Sequence, residues 1–355
     1  MSKPTSPAPA PSHSAAAATM QALVYARPNA MELRTAPVPE PAAGEVLVRI
    51  EAVGICGSDM HAFHGHDPRR QPGLILGHEF AGTVISGASN GRRVTGNPLI
   101  SCGQCEYCRQ QRGNLCANRT MVGMTRPGAF AQFMTIPEQV LIDLPATMTV
   151  RQGALTEPAA TALHALALAN KALVPALSEA RVLVIGGGAI GMLAALLLRA
   201  RGAREVWVAE THAARAASVT RHSGARTFDP RHEAGPGENS CDLVLDAVGA
   251  APTRTLMLTA AKPGSVVVHI GLQDWASEID MRKLTLAEIT LIGSYTYTDQ
   301  DLADTVAAIN AGDFGDLSWV EERPLADGAT AFDDLHHQRT QAAKVLLCPQ
   351  TQACR

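Results

Sequence analysis

Cys102, Cys105, Cys108 and Cys116 stand together in one short segment of this chain, about residues 101–117. Four thiolates that close match the all-sulfur, tetrahedral site of structural zinc, which is coordinatively closed and holds a loop that lacks a core of its own. The competing reading is a pair of disulfides. The chain shows no secretory signal and its other cysteines, Cys56, Cys241, Cys348 and Cys354, are scattered, so zinc is the expectation. A closed site does no catalysis, and the chemistry must lie elsewhere.

A second set of residues is suited to it. Gly54-Ile55-Cys56-Gly57-Ser58-Asp59-Met60-His61 and Gly77-His78-Glu79 offer a thiolate, an imidazole and a carboxylate, and Leu155-Thr156-Glu157-Pro158 offers a further carboxylate. Singly, each has an ordinary use, cysteine as a small core residue and histidine as a satisfied polar group. Together, Cys, His and carboxylate leave the fourth position on a zinc ion to water or substrate, which is the arrangement catalysis needs. His64 and His66 could join His61 in another metal cluster, although a run of surface histidines is the commoner meaning of such spacing.

Gly186, Gly188 and Gly191 form G-x-G-x-x-G, with Ala189 and Ile190 within it, directly after the apolar run Val182–Ile185 and at the opening of a helical pattern over Ala189–Ala200. In that context glycines permit a tight turn and the close approach of a pyrophosphate, whose charge rests on the helix N-terminus. About twenty residues on, Glu210 follows Val206-Trp207-Val208-Ala209, where an acid accepts hydrogen bonds from the adenosine ribose and repels a 2′-phosphate. NAD is therefore expected. Arg215 keeps NADP open, its plainer use being a solvated surface pair.

With these motifs the chain resembles the zinc-dependent medium-chain dehydrogenases from about Met20 onward, nearest to their polyol and threonine dehydrogenase branch. The resemblance rests on GICGSDMH, GHE, CGQCEYC with a later Cys, EP ahead of the cofactor segment, and GGGAIG. It implies a GroES-like β-rich catalytic domain and a Rossmann domain with the active site in the cleft between them. By position it implies Cys56, His78 and Glu157 as ligands of a catalytic zinc, with Glu79 a direct ligand or one acting through water. Ser58 and His61 match a proton relay. Asp59 matches the acid that orients the histidine ligand, its alternative being a helix cap; Thr161 matches a position beside the nicotinamide, its alternative being helix packing. Ethanol-type relatives have Cys where Glu157 stands, which points toward polyols, diols or amino alcohols. Two departures from the family pattern stand out, the first bearing on that inference and the second altering only a local turn. Ser294-Tyr295-Thr296-Tyr297-Thr298 replaces the Arg-Tyr common in polyol dehydrogenases, and Gly91-Arg92-Arg93-Val94 replaces Gly-Asp-Arg-Val. Arg69 and Arg70 could meet a phosphorylated substrate, or form a solvated basic pair.

These residues must be carried by two kinds of element. From Glu45 to about Leu144, short alternating strands with Gly and Pro punctuation (Val46–Val53, Phe80–Ile85, Gln132–Ile136) indicate a compact β-rich unit. Val150–Ala172 reads as helix. From Arg181, strands at Val182–Ile185, Glu205–Ala209, Leu243–Ala247, Ser265–Ile270 and Ile289–Gly293 alternate with helices, as in a doubly wound parallel sheet. The expected organisation is a disordered tail at 1–19, the catalytic domain at 20–170, the NAD-binding domain at 171–312, and a C-terminal return to the first domain at 313–355 through the strand Lys344–Leu347.

With 46% hydrophobic and 18% charged residues the 355-residue chain can bury large cores, and a net charge of −3 suggests neither nucleic acid nor an anionic membrane as partner. No apolar run reaches membrane-spanning length. The reading is a cytoplasmic zinc- and NAD-dependent oxidoreductase acting on a small alcohol or ketone, with two zinc ions per chain. The resemblance adds a homodimer or homotetramer, paired through the apolar stretch Ile289–Tyr297. Three alternatives stand beside it. One is an NADP-preferring alcohol or aldehyde reductase. A zinc hydrolase has no use for the glycine loop and Glu210, and a non-catalytic dinucleotide-binding protein has no need of a complete zinc-ligand set.

Overall fold

The computed structural model describes residues 18–350 and Cys354. The expected tail falls outside the described residues except for Ala18 and Thr19, and Thr19 already opens the first strand, Thr19–Arg27.

Two sheets carry the fold. The first has seven strands, in the order Val320–Pro324, Lys344–Cys348, Glu45–Gly54, Glu79–Val84, Arg93–Gly96 and Leu141–Asp143, with Phe133–Pro137 also paired to Glu45–Gly54. Its pairings are antiparallel except for that between Val320–Pro324 and Lys344–Cys348. Along Glu45–Gly54 buried and half-exposed residues alternate until Ala52, as expected of a strand with one face on a core. Val48, Ile50, Val53 and Phe80 supply that core with Phe130 and Phe332.

The second sheet has six parallel strands, in the order Arg226–Phe228, Glu205–Ala209, Arg181–Ile185, Cys241–Asp246, Ala261–His269 and Thr290–Gly293. Sequence order runs outward in both directions from the neighbours Arg181–Ile185 and Cys241–Asp246, so the crevice at their carboxyl ends is the switch point where doubly wound sheets bind ligands. Val182, Leu183 and Val184 have no exposed surface, which is why these strands read as continuous apolar runs. The expected α/β architecture, a β-rich GroES-like part with a Rossmann-type sheet, is the one found.

The helix Val150–Asn170 joins the two. Its buried Ala154, Leu155 and Ala159 lie in one core cluster with Ala52 and Ala81 of the first sheet and with Val182, Met192 and Leu193 beside the second. Thr149 and Gln152 cap its start reciprocally. Glu157 therefore lies about two turns inside the helix. One expectation is corrected outright: Cys348 and Cys354 are not scattered but form a disulfide, with Cα atoms 5.6 Å apart. The two cysteines are six positions apart in the chain, a spacing with no recognisable signature in the sequence.

Candidate active site

Cys56 lies at the end of the first sheet's long strand and caps the short helix Gly57–Phe63. His78 and Glu79 lie where the neighbouring strand Glu79–Val84 begins, and Gly54 pairs with Glu79 across the ladder. A Cβ on Gly54 would stand 1.9 Å from Glu79 Oε2, so glycine there is what lets the carboxylate lie across the strand. Ligand atoms of Cys56, His78 and Glu79 all fall within 4.8 Å of one another, with His78 and Glu79 buried.

Asp59 caps the helix and stands beside His78. Its Oδ2 accepts the Cys56 backbone N–H at 3.1 Å, which caps the helix, while Oδ1 lies 3.6 Å from His78 Nδ1. Burial opposes charge on both groups, but Asp59 with the Cys56 thiol outweighs it and holds the His78 pKa well above the usual imidazole range. The same pairing keeps Asp59 below the usual carboxylate range despite its burial. With Nδ1 turned to Asp59, Nε2 is the nitrogen left for a metal.

Glu157 is buried near this set but outside its tightest grouping. Its Oε1 accepts a 2.7 Å hydrogen bond from the hydroxyl of Tyr297, a fully buried residue. Burial pushes the Glu157 carboxyl up to about 7, with His78 pulling the other way and Glu79 adding to the rise. Thr161 stands one turn further along the same helix, half-buried.

Three residues take positions here that the sequence reading did not assign to them. Lys344 Nζ donates to both Glu79 oxygens, at 2.7 and 2.6 Å, and to Ile55 O at 3.0 Å, with only 3% of the residue exposed. Its only signal was a lysine heading an otherwise apolar strand. Tyr297 stood in the segment that departs from the Arg-Tyr pattern. Arg70 is buried rather than part of a solvated basic pair: it donates to Ser58 Oγ at 3.2 Å, Ser58 O at 3.2 Å, Gly123 O at 3.1 Å and Asp67 at 2.7 Å. Arg69 is exposed and bound to Asp67, so neither arginine is a free phosphate receptor. Ser58 and His61 are half-buried on the helix that leads from Cys56, and burial together with His66 lowers the His61 pKa.

The four-cysteine lobe is separate. Cys102, Cys105, Cys108 and Cys116 bring their sulfurs within 4.8 Å of one another; Cys105 and Cys108 are 3.4 Å apart and Cys102 and Cys108 3.9 Å. Two sulfurs on one tetrahedral zinc at about 2.3 Å lie about 3.8 Å apart, whereas a disulfide needs about 2.05 Å. The set fits zinc, and all four are free thiols.

At the switch point Gly186 takes φ 96°, and a Cβ on Gly191 would meet Gly186 O at 1.7 Å, so both positions require glycine. A Cβ on Gly188 would meet nothing within 4 Å. Gly188 caps the helix Ala189–Ala200, and the free space above it, at the helix N-terminus with half-exposed Ala189 and Ile190, suits a pyrophosphate. Glu210, just past the strand Glu205–Ala209, accepts the N–H groups of Gly187 at 2.8 Å and His212 at 2.7 Å. Arg215 pairs with the same carboxylate at 3.0 Å, half-buried rather than solvated.

Comparison with known proteins agrees with this geometry. Residues 42–146 match the alcohol dehydrogenase GroES-like domain, and residues 189–311 match the zinc-binding dehydrogenase family. The chain is 30% identical to L-galactonate-5-dehydrogenase of Escherichia coli (strain K12), over 89% of this chain and 95% of that one. It is 31% identical to L-threonine 3-dehydrogenase of Rhizobium johnstonii, over 78% and 83%. Galactitol-1-phosphate dehydrogenase from Escherichia coli superposes with a TM-score of 0.85 at 25% identity, over 93% of this chain and all of the other. Solved structures of similar fold hold NADP in one case and NAD in another. The chain therefore belongs to the zinc-binding alcohol dehydrogenases of the medium-chain superfamily, as an alcohol or polyol dehydrogenase that works with NAD(P).

Proposed function

We propose that this enzyme oxidises a secondary alcohol of the polyol, sugar-acid, diol or amino-alcohol class, phosphorylated forms included, with NAD as hydride acceptor and two zinc ions per chain. The observation that carries this reading is the meeting of Cys56, His78, Glu79 and Glu157 in one buried polar pocket beside the helix that links the two sheets. Cys56, His78 and one carboxylate would hold the catalytic ion. Lys344 engages both oxygens of Glu79, which favours Glu157 as the carboxylate ligand and leaves Glu79 to act through water. Cys102, Cys105, Cys108 and Cys116 would hold the structural ion.

When bound, zinc supplies a Lewis acid that acidifies the substrate hydroxyl, and NAD supplies the hydride acceptor. The remaining work falls to side chains. Ser58 Oγ takes the hydroxyl proton and passes it toward His61, whose lowered pKa keeps its ring neutral and able to accept. Arg70 fixes Ser58 from behind. Tyr297 holds Glu157 in orientation. Gly186, Gly188, Ala189, Ile190 and Gly191 would receive the pyrophosphate, Thr161 would lie beside the nicotinamide, and Glu210 would take the ribose hydroxyls, with Arg215 holding its carboxylate. An NADP preference is the second reading, favoured by Arg215, which offsets the charge of Glu210.

The edge strand Thr290–Gly293 supports a homodimer or homotetramer, for Leu272, Trp275, Met281 and Leu286 lie exposed in the chain leading to it, Trp275 by 93%. No helix among the described residues is long and apolar enough to cross a membrane. We place the enzyme in the cytoplasm, where thiolates are kept for zinc. The test is a panel of polyols, sugar acids, phosphorylated polyols, diols and amino alcohols scored by NADH appearance, with zinc counted per chain. Turnover confined to simple primary alcohols, or NADP reduced faster than NAD, would overturn the reading.

A further inference from the structure

The helices Gly57–Phe63 and Gly328–His336 end beside one another on the surface of the first lobe. Phe63 and Phe332 hold them together, buried with ring centroids 5.5 Å apart. Immediately beyond this packed pair the two ends present histidines. His64 caps the first helix, His336 is the last residue of the second and His337 caps it, and His66 follows two residues after His64. His64 Nε2 lies 2.9 Å from His336 Nδ1, although the residues are 272 positions apart in the chain. Ring centroids are 4.9 Å apart for His64 and His336 and 5.6 Å for His64 and His66.

We propose that His64, His336 and His66 form a further binding site for a divalent transition-metal ion such as Zn2+ or Ni2+, distinct from the two zinc sites of the dehydrogenase. Neighbouring ligands on one ion at about 2.1 Å lie about 3.0 to 3.4 Å apart, and their imidazole centroids about 5 Å apart, so the His64–His336 pair is already at chelating distance. His66 is exposed on its loop with its ring centroid 5.6 Å from that of His64, and a side-chain rotation would complete the set. Two helix C-termini converge here, and their carbonyl ends favour a cation. Burial, with His336, His66 and His61 as neighbours, lowers the His64 pKa, which favours the neutral ring that a metal needs. Asp333 lies 3.3 Å from His337 Nδ1 and orients that ring beside the pair. Sequence alone offered only His61, His64 and His66. The fold supplies His336, and His61 is not needed.

The test is calorimetric titration of the zinc-loaded full chain with Ni2+, with zinc content measured before and after. One Ni2+ bound per chain with no zinc released is expected, and His336→Ala should weaken that binding at least tenfold. His66→Ala should weaken it severalfold. Because His336 is exposed and stands beyond the Phe63–Phe332 contact, the variant keeps the fold, which circular dichroism checks. No Ni2+ uptake, uptake matched by zinc loss, or equal affinity in His336→Ala would overturn the proposal. None of these outcomes depends on substrate or NAD, so a failure here is distinguishable from a failure of the dehydrogenase reading.

Discussion

The cysteine lobe and the catalytic pocket are both suited to zinc, yet they are built in opposite ways. The lobe would take its four ligands from residues 102–116, three of them partly exposed and none borrowed from elsewhere in the chain. The pocket draws Cys56, His78 and Glu79 from the neighbouring ends of two strands, Glu157 from the linking helix, Lys344 from the C-terminal strand and Tyr297 from the segment after the second sheet's edge. A closed site needs only a loop that wraps the ion, and local spacing suffices. An open site must keep charged groups dry and unevenly satisfied, which takes neighbours from the whole fold.

The strongest way to break this comparison is to remove one sulfur from each site. Cys105→Ser should unfold the lobe, seen as the loss of one zinc and as new proteolysis around residues 101–117, because the segment has little core of its own. Cys56→Ser should leave stability nearly unchanged and lower kcat by about 1000-fold or more, about 4 kcal/mol in barrier. Equal losses of stability from the two variants would erase the distinction.

A smaller effect tests the borrowed neighbours. Lys344→Met strands the buried Glu79 carboxylate without its partner, which should cost about 3 kcal/mol in urea unfolding. Adding Glu79→Gln should recover much of that loss, since the charge that needed a partner is gone. An unchanged unfolding midpoint in Lys344→Met would show that the pair is screened by water.

What could be read from the sequence divides along the same line. The cysteine lobe, the glycine loop and Glu210 are local patterns, and each was legible because the residues that explain it lie within a few turns of chain. The parallel strands were legible as apolar runs between helices. Lys344 was not, because its partner lies 265 positions away, nor was Tyr297, 140 positions from Glu157. Arg70 shows the reverse failure. Beside Arg69 it read as a solvated pair, and only the packed turn around Asp67 shows one guanidinium buried and the other exposed.

Cofactor choice gives the next effect in size. Glu210→Ala removes the acid expected to take the ribose hydroxyls and leaves Arg215 free to meet a 2′-phosphate, so the NAD-to-NADP ratio of kcat/KM should fall about tenfold, or 1.4 kcal/mol. The carboxylate also ties down the N–H groups of Gly187 and His212, so affinity for both cofactors should drop somewhat as the loop loosens. An unchanged ratio would mean that Glu210 serves only the loop.

The smallest effect sharpens the comparison most. Tyr297→Phe deletes one hydroxyl from the pocket and leaves the ring, so the change is confined to the 2.7 Å bond that it donates to Glu157 Oε1. Such a hydrogen bond is worth about 1 kcal/mol, which corresponds to about a fivefold fall in kcat if that bond aims Glu157 at the metal. Glu157→Gln should cost far more, because the amide keeps the shape but loses the charge that a metal ligand supplies. NAD affinity should stay constant in both variants, since Gly186–Gly191 and Glu210 lie on the other sheet. Full zinc content and normal turnover in both variants would return the ligand role to Glu79, whose oxygens stand closest to Cys56 and His78. Lys344 would then be the group that gives way when the ion binds, and the open site would be set by a strand pair instead of by the linking helix.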